Sequence, residues 1–258
     1  MPDCRTRYPI LLIHGLNRRD DCGPSYWGQV PDILRAQGAR VYLSGQDAVG
    51  SIEDNALALR RRAREILTAE GCEKLNLIAH SKGGLEARFL ISSLGMAPRV
   101  ASLTTICTPH HGSQAAAVWL RRKVLCKLAG RALETGWRLA GDQSPDFERA
   151  LAALTPDAME RFNRENPDSP LVYYQSWGAR LDQAGWDLMD RAQLWLTRAD
   201  GPTDGLVTPE SAVWGRYRGT LAGISHQDSV DSRRRRPAVF SAEVFYTALV
   251  QELAEMGF

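Results

Sequence analysis

The sequence lacks long apolar runs, a marked net charge and any cysteine pattern typical of a disulfide framework or a zinc site. No stretch approaches the roughly 18 consecutive apolar residues that a membrane-spanning helix needs. The five cysteines are odd in number and scattered, without a CxxC or Cys/His spacing. The net charge of +2 gives no reason to expect a nucleic-acid partner. The composition, 44% apolar and 24% charged, is that of an ordinary globular protein.

The length and the first residues set expectations about domains and location. A chain of 258 residues suits one large α/β domain better than two small ones. The first ten residues lack the basic region and apolar run of a signal peptide. We therefore expect a cytoplasmic protein as the sequence stands, or a secreted one if the sequence is a trimmed precursor. The sequence does not indicate an oligomeric state.

Apolar, β-branched segments of strand length alternate with longer helical patterns. The predicted strands are 9–14, 39–43, 75–79, 100–107 and 171–174, and the predicted helices include 53–69, 83–94 and 242–256. Strands separated by helices of this length indicate a mostly parallel sheet with helices on both faces. We predict a single α/β domain that spans residues 1–258.

A long segment between the fourth and fifth predicted strands, about residues 112–170, is predicted to be helical. On a helical wheel, charged residues form one stripe and apolar residues cover the opposite side. The stripe contains Lys123, Lys127, Arg131, Glu134 and Arg138, and the apolar side contains Val118, Leu125, Leu128, Ala132, Leu133 and Leu139. Two interpretations stay open. The segment is either an ordinary helix on the core or a mobile lid that transiently contacts a lipid interface.

The strongest chemical signal is a nucleophile-elbow pattern, G-x-S-x-G, with Ala79 in place of the first glycine. A serine in a tight strand-to-helix turn has a strained backbone, so the residues two positions away must be small. Ala79 and Gly83 meet this condition. The turn places Ser81 at the start of a helix, where the helix dipole favours a developing negative charge. We predict that Ser81 is the nucleophile of an α/β-hydrolase fold.

Acyl transfer also needs two backbone N–H donors for the oxyanion. One is expected from Lys82, which follows the nucleophile. The other is expected from Leu16, which follows His14-Gly15 at the end of the first predicted strand. We interpret His14 itself as structural.

The remaining triad members are expected in the order acid, then histidine. His226 is the histidine that lies late in the sequence, so it is the predicted base. His110 and His111 follow the fourth predicted strand, and we interpret them as loop residues. The acid is less constrained by spacing, because several aspartates precede His226. The candidates are Asp182, Asp187, Asp190, Asp200 and Asp204, of which Asp204 lies in an Asp-Gly turn before a short apolar run.

These motifs, in this order, resemble the bacterial family I triacylglycerol lipases, especially their shorter members without a disulfide. The resemblance covers most of the chain, with matching segments at residues 8–16, 76–84, 108–113, 203–207 and 226–228. It implies an ester hydrolase acting on acyl esters or lipids. It also implies Asp204 as the triad acid, because its separation from His226 is typical of that family.

The same resemblance implies a structural calcium ion. In that family, a carboxylate two residues after the catalytic histidine binds calcium together with an earlier aspartate. Asp228 matches the first position, and Asp182 lies about where the second would be. Oxygen ligands suit calcium. The alternative is that Asp228 pairs with an arginine of the run 233–236. The chemistry itself requires no cofactor.

The sequence therefore predicts a serine carboxylic-ester hydrolase of the lipase/esterase type that uses Ser81, Asp204 and His226 and forms an acyl-enzyme. An acyltransferase with the same triad is the alternative enzyme. A binding module without activity is a rival from another class, but no triad member is missing. A third rival is a membrane-surface protein that uses its basic segments, including residues 233–236.

Overall fold

The computed structural model describes residues 3–20, 25–181, 201–231 and 239–258. Six strands form one sheet in the order β2-β1-β3-β4-β5-β6, and each neighbouring pair is parallel. The strands are β1 (Ile10–Ile13), β2 (Val41–Leu43), β3 (Leu75–His80), β4 (Val100–Ile106), β5 (Tyr173–Arg180) and β6 (Arg216–Ala222). The central strands β1, β3 and β4 are fully buried, as expected for a parallel sheet covered on both faces.

Helices cover the two faces, and four of them form an excursion between β4 and β5. The helices are α1 (Val30–Ala36), α2 (Ile52–Glu70), α3 (Lys82–Ile91), α4 (Gln114–Arg121), α5 (Lys123–Leu139), α6 (Phe147–Ala152), α7 (Pro156–Glu165) and α8 (Ala242–Glu255). Successive residues of β1 point to opposite faces. Ile10 and Leu12 pack with α1 and α8, whereas Leu11 and Ile13 pack with α2 and α3.

The predicted α/β fold, a parallel sheet with helices on both faces, is confirmed. Two elements were not predicted, α1 and β6. The helix α1 is short and carries Pro31 in its first turn. The strand β6 lies at the sheet edge and has no buried residue, so its sequence contains arginines instead of an apolar run. Within the described parts of the chain, no helix combines the length and apolarity needed to cross a membrane.

The excursion contains four helices, α4 to α7, inside the predicted segment 112–170. The residues on its predicted apolar side differ in exposure. Leu133 lines an internal cavity, but Leu128 is 62% exposed and Leu139 is 87% exposed. The reason is that apolar residues of α5 cover roughly two thirds of the helix circumference at about 100° per residue, and a surface helix can bury only part of that arc. Whether the excursion moves as a lid stays a prediction.

Candidate active site

The turn between β3 and α3 holds Ser81 in a backbone conformation that L-residues rarely adopt, with φ 54° and ψ −133°. The Ser81 N–H donates to the carbonyl oxygen of Ile106 at 2.9 Å. A Cβ atom on Gly83 would collide with the carbonyl oxygen of His14, and one on Gly15 would lie 2.7 Å from Ser81 Cβ. The need for small residues near the serine therefore comes from backbone strain and from the close approach of the loop after β1.

The structure brings Ser81, His226 and Asp204 together. His226 Nε2 lies 2.9 Å from Ser81 Oγ, and His226 Nδ1 lies 2.7 Å from Asp204 Oδ2. The other carboxylate oxygen of Asp204 accepts hydrogen bonds from the N–H groups of Leu206 and Val207 at 2.9 Å and 2.8 Å. Asp204 is fully buried. The hydrogen bonds to Oδ1 fix the orientation of the carboxylate, so that Oδ2 faces the imidazole of His226.

Backbone hydrogen bonds fix the acid and histidine loops to each other. The His226 N–H donates to the Asp204 carbonyl oxygen at 2.9 Å, and the Asp204 N–H donates to that of Val207 at 3.1 Å. The turn continues through Gly205 at φ 104°, a conformation that favours glycine. The Asp-Gly turn predicted from the sequence thus has a structural role beside the carboxylate.

The two predicted oxyanion donors come from different elements near Ser81. Leu16 lines the cavity beside Ser81, and Lys82 is the first residue of α3. Within the described residues, neither N–H has a protein hydrogen-bond acceptor. Both groups are thus available to a bound ligand.

An apolar cavity of about 340 Å³ opens beside Ser81 and His226. Its walls come mainly from the excursion helices and the loops that follow β1 and the acid turn. Apolar side chains of the excursion that line it are Trp119, Ala129, Leu133, Phe147, Leu151 and Leu154. The serine and histidine therefore lie at the surface of a space suited to a hydrocarbon chain.

The chain is similar to triacylglycerol lipases of yeast and bacteria. The triacylglycerol lipase 2 of Saccharomyces cerevisiae is 31% identical over 255 residues, which span 90% of this chain and 74% of the relative. A triacylglycerol lipase of Vibrio cholerae is 32% identical over 254 residues, which span 88% of this chain and 80% of the relative. The chain belongs to the triacylglycerol lipase family. No protein-family model matches it.

Solved structures agree with this fold. The Staphylococcus hyicus lipase has a TM-score of 0.73 at 18% identity, covering 98% of this chain and 97% of that chain. Lipase 1 of Pelosinus fermentans has a TM-score of 0.74 at 18% identity, covering 97% of this chain and 99% of that chain. At such identities the likeness shows the α/β-hydrolase fold alone. Membership of the lipase family makes the chain a carboxylic-ester hydrolase.

In this lipase-family chain a second histidine, His80, contacts the loop that carries His226. Its Nδ1 lies 2.5 Å from the Tyr26 hydroxyl, and its Nε2 lies 3.1 Å from the His226 carbonyl oxygen and 3.0 Å from Ser229 Oγ. Burial, and then the nearby His226, hold the pKa of His80 well below its ordinary value. Since burial raises the pKa of Tyr26, its hydroxyl stays protonated and donates to His80. The His80 Nε2–H then donates towards the His226 loop.

Sequence reasoning missed Tyr26 and Ser229. Ser229 Oγ also donates to the His226 carbonyl oxygen at 2.8 Å, and Tyr246 donates to the Ser229 carbonyl oxygen at 2.8 Å. Nothing in the local sequence marks these residues, because the His80 ring that both contact lies 54 and 149 positions away along the chain.

Cys107 lies beside the triad with φ 52° and is completely buried. Burial, and then the charge of Asp204, raise the pKa of its thiol. One ligand atom each from His80, Cys107 and His226 lies within 4.8 Å of the others, a set that resembles a zinc site. All four ring nitrogens of the two histidines, however, already have hydrogen-bond partners within the protein. Hydrogen bonding therefore accounts for the cluster.

His110 belongs to a separate structural cluster. It is buried, and its ring nitrogens lie 2.9 Å from Thr105 Oγ1 and 3.3 Å from an Arg88 nitrogen. The Arg88 guanidinium is stacked 3.5 Å from the Trp214 ring centroid, and burial lowers the pKa of Arg88 to about 10. Neither His110 nor the exposed His111 lines the cavity at Ser81.

The calcium ligands predicted from the resemblance are only partly within the described structure. Asp228 Oδ2 accepts hydrogen bonds from the Ser225 N–H at 3.0 Å and from Ser225 Oγ at 2.6 Å. Asp182 lies outside the described residues, as does the arginine run 233–236. Of the two predicted calcium ligands, Asp228 is the one within the described residues, and its carboxylate closes a turn beside His226. Calcium binding therefore stays a prediction.

Proposed function

We propose that this chain hydrolyses acyl esters of lipids through a covalent intermediate on Ser81. The observation that carries the proposal is the continuous hydrogen-bonded array from Ser81 Oγ through His226 to the buried carboxylate of Asp204, at the wall of an apolar cavity. The names of the relatives, which are triacylglycerol lipases, make acyl glycerides the first substrates to test.

These distances support the following course for formation of the acyl-enzyme. Ser81 Oγ attacks the ester carbonyl carbon while its proton moves to His226 Nε2. Asp204 holds the Nδ1–H and stabilises the imidazolium. The tetrahedral intermediate collapses when the bond to the alcohol breaks and His226 gives its proton to the leaving oxygen. Water, activated by the same histidine, then attacks the acyl-enzyme and releases the acid and Ser81.

The oxyanion of each tetrahedral intermediate is assigned to the N–H groups of Leu16 and Lys82. One belongs to the loop after β1 and the other to the first residue of α3, and neither has a protein acceptor among the described residues. Removing one such donor typically lowers kcat by about 10²–10³-fold. The positive end of the α3 dipole supports the same charge.

Contact with a lipid interface is proposed for α5. Its outward surface carries Val124, Leu125 and Leu128, which are 74%, 49% and 62% exposed. The exposed residues Lys123 and Lys127 lie beside them. Apolar side chains flanked by cations suit a helix lying in the plane of a lipid surface.

The test combines trapping with product analysis. An alkyl p-nitrophenyl phosphonate should label Ser81, identified by peptide mass, and Ser81→Ala should not be labelled. Rates on p-nitrophenyl esters from acetate to palmitate, below and above substrate solubility, separate an esterase from a lipase. Added alcohol that diverts most product into a new ester would instead favour an acyltransferase. Labelling at another residue, with full activity in a folded Ser81→Ala variant, overturns the proposal.

A further inference from the structure

The first five residues of α3 contain a buried ion pair directly after Ser81 in the chain. Lys82 Nζ donates to Glu86 Oε1, and both side chains are about 1% exposed. The desolvation of two charges offsets most of their attraction, so a buried ion pair is weak evidence of a stabilising role. The position of this pair, next to Ser81, points to a role in the site.

Gln46 links Glu86 to the loop that follows β1. Its Nε2 donates to Glu86 Oε2 at 3.1 Å and to the carbonyl oxygen of His14 at 3.0 Å. Its Oε1 is buried and has no hydrogen-bond partner in the described parts of the chain. A buried amide oxygen without a partner is uncommon in proteins and needs an explanation. Here the amide is oriented by its two donated hydrogen bonds, which join separate loops.

Residues 46–48 hold the Leu16 loop on both sides of Leu16. On one side Gln46 binds the His14 carbonyl oxygen, and on the other the Asn17 N–H donates to the Ala48 carbonyl oxygen at 2.8 Å. The same segment is fixed to α2, because Asn55 Nδ2 donates to the Asp47 carbonyl oxygen at 2.9 Å and to Glu86 Oε1 at 2.8 Å.

We propose that the Glu86 network, defined as Gln46, Asn55, Lys82 and Glu86, is a positioning device that sets the separation of the two oxyanion donors. The inference rests on the proposed function, because it takes the N–H groups of Leu16 and Lys82 as those donors. One end of the network is the residue that carries the second donor, and the other end holds the loop that carries the first. None of its side chains has to touch the substrate.

This placement predicts a specific kinetic signature. A misplaced oxyanion donor weakens binding of the tetrahedral transition state and leaves binding of the planar ester almost unchanged. Loss of the network should therefore lower kcat with little change in KM. It should also weaken the binding of an alkyl boronic acid inhibitor, because the tetrahedral adduct of this inhibitor with Ser81 places an oxygen between the donors.

Gln46→Met is the first variant, because it keeps the side-chain length and removes both donated hydrogen bonds. Gln175→Met is the matched control. Gln175 is also buried and donates through Nε2 to Thr104 Oγ1 at 2.9 Å, but it lies in β5 outside the site. For Gln46→Met we expect kcat to fall about tenfold to a hundredfold, KM to stay within twofold, and the boronate Ki to rise by the same factor as kcat falls. Gln175→Met should change the melting temperature without changing kcat or Ki.

A folded Gln46→Met enzyme with wild-type kcat and Ki overturns the inference, and so does an equal kinetic loss in Gln175→Met. If Gln46→Met does not fold, the double variant Lys82→Met/Glu86→Leu makes the same test, since apolar replacement of a buried ion pair often preserves stability. Wild-type kcat and Ki in that variant overturn the inference as well. Failure of the proposed function gives a different result, which is a wild-type protein whose Ser81 the phosphonate does not label.

Discussion

Two helices near the cavity differ in burial: α3 begins directly after Ser81, which lines the cavity, and α5 contributes Ala129 and Leu133 to its wall. In α3, every residue except Phe89 is buried, including the charged side chains of Lys82, Glu86 and Arg88. In α5, Cys126 and Gly130 are the buried residues, and the helix exposes several large apolar side chains. A helix held on all sides can fix reacting groups to within small tolerances. A helix held along one narrow face can change partners at little cost in stability.

The difference in burial suggests different roles for the two helices in the site. The groups that must be placed accurately, the proposed nucleophile Ser81 and the proposed oxyanion donor Lys82, lie at the start of the buried helix. The apolar surface that is assigned to the substrate interface belongs to the exposed one. Changes near α3 should therefore alter the chemical step, and changes on the outside of α5 should alter the response to aggregated substrate.

The largest effect is expected when the chemistry at the start of α3 is removed. Ser81→Ala and His226→Ala should each lower kcat by about 10⁶-fold, and the double variant should be hardly worse, because residues that act as a unit lose their effect together. Measurement on a soluble ester, with circular dichroism to verify folding, checks this. A double variant that is worse by the product of the two single losses would mean that the residues act independently.

The next effect concerns the acid, which lies outside both helices. Asp204→Asn should retain the fold and lower kcat by about 10⁴-fold, because the amide can favour the wrong tautomer of His226. Its turn can persist, since the remaining side-chain oxygen can still accept from the N–H groups of Leu206 and Val207. Asp182→Asn and Asp200→Asn are the control variants. A comparable loss in either, with activity retained in Asp204→Asn, would contradict the assignment.

These residues also show how far sequence reasoning reaches. The elbow could be predicted because its requirements are local: a strand, a serine, small neighbours and a helix start. The histidine followed from chain order. Spacing did not choose among the five aspartates, and the resemblance to lipases selected Asp204. In the structure, Asp204 Oδ2 lies 2.7 Å from His226 Nδ1.

The supporting contacts could not be predicted because they join distant residues without any periodic pattern. Tyr26 and His80 are 54 positions apart, and Gln46 and Glu86 are 40 positions apart. The spacing of Lys82 and Glu86 is that of an ordinary surface pair on a helix. Its burial depends on the neighbouring loops. The same limitation explains α5, whose apolar arc gave no sign of which part faces the protein.

A smaller effect, on stability, follows from the buried histidines around α3. Burial holds the pKa of His80 and of His110 well below 6.5 in the folded protein. Below that pH the unfolded chain binds protons at these rings and the folded chain does not. The free energy of unfolding should therefore fall as the pH drops below 6.5, by about 1.4 kcal/mol per pH unit for each histidine, until the folded-state pKa is reached. Urea unfolding between neutral and mildly acidic pH measures this.

The His110→Gln variant sharpens the test, because it removes one of the two groups and leaves the triad intact. The slope of its unfolding free energy against pH should be smaller than that of the wild type by the contribution of one histidine, about 1.4 kcal/mol per pH unit. An equal slope in both proteins would mean that His110 takes up its proton in the folded state.

A shift in melting temperature is expected if Asp228 and Asp182 hold calcium. A chelator should then lower the melting temperature and added calcium should restore it by mass action. Asp228→Asn should abolish the response. If Asp228→Ala is destabilised while the wild type ignores the chelator, the role of Asp228 is the turn that it closes with Ser225.

The smallest effect on stability is expected on the outside of α5, and a matched pair of leucines tests the comparison directly. Leu85 in α3 is fully buried, whereas Leu128 in α5 is 62% exposed. Leu85→Ser leaves a cavity and a buried hydroxyl, so it should destabilise the fold by about 2–5 kcal/mol. Leu128→Ser should change stability by no more than about 0.5 kcal/mol.

Activity then separates a lipid-contacting surface from a passive one. Leu128→Ser removes apolar area that can enter acyl chains, so it should lower hydrolysis of emulsified long-chain ester and leave hydrolysis of dissolved short-chain ester unchanged. Rates on both substrates, together with the melting temperature, provide the measurement. Equal loss on both substrates with a large drop in melting temperature would make α5 a core helix like α3. Unchanged rates on both substrates would mean that the outer face of α5 does not contribute to interfacial hydrolysis. The assignment of chemistry to α3 and of interface contact to α5 would then be wrong.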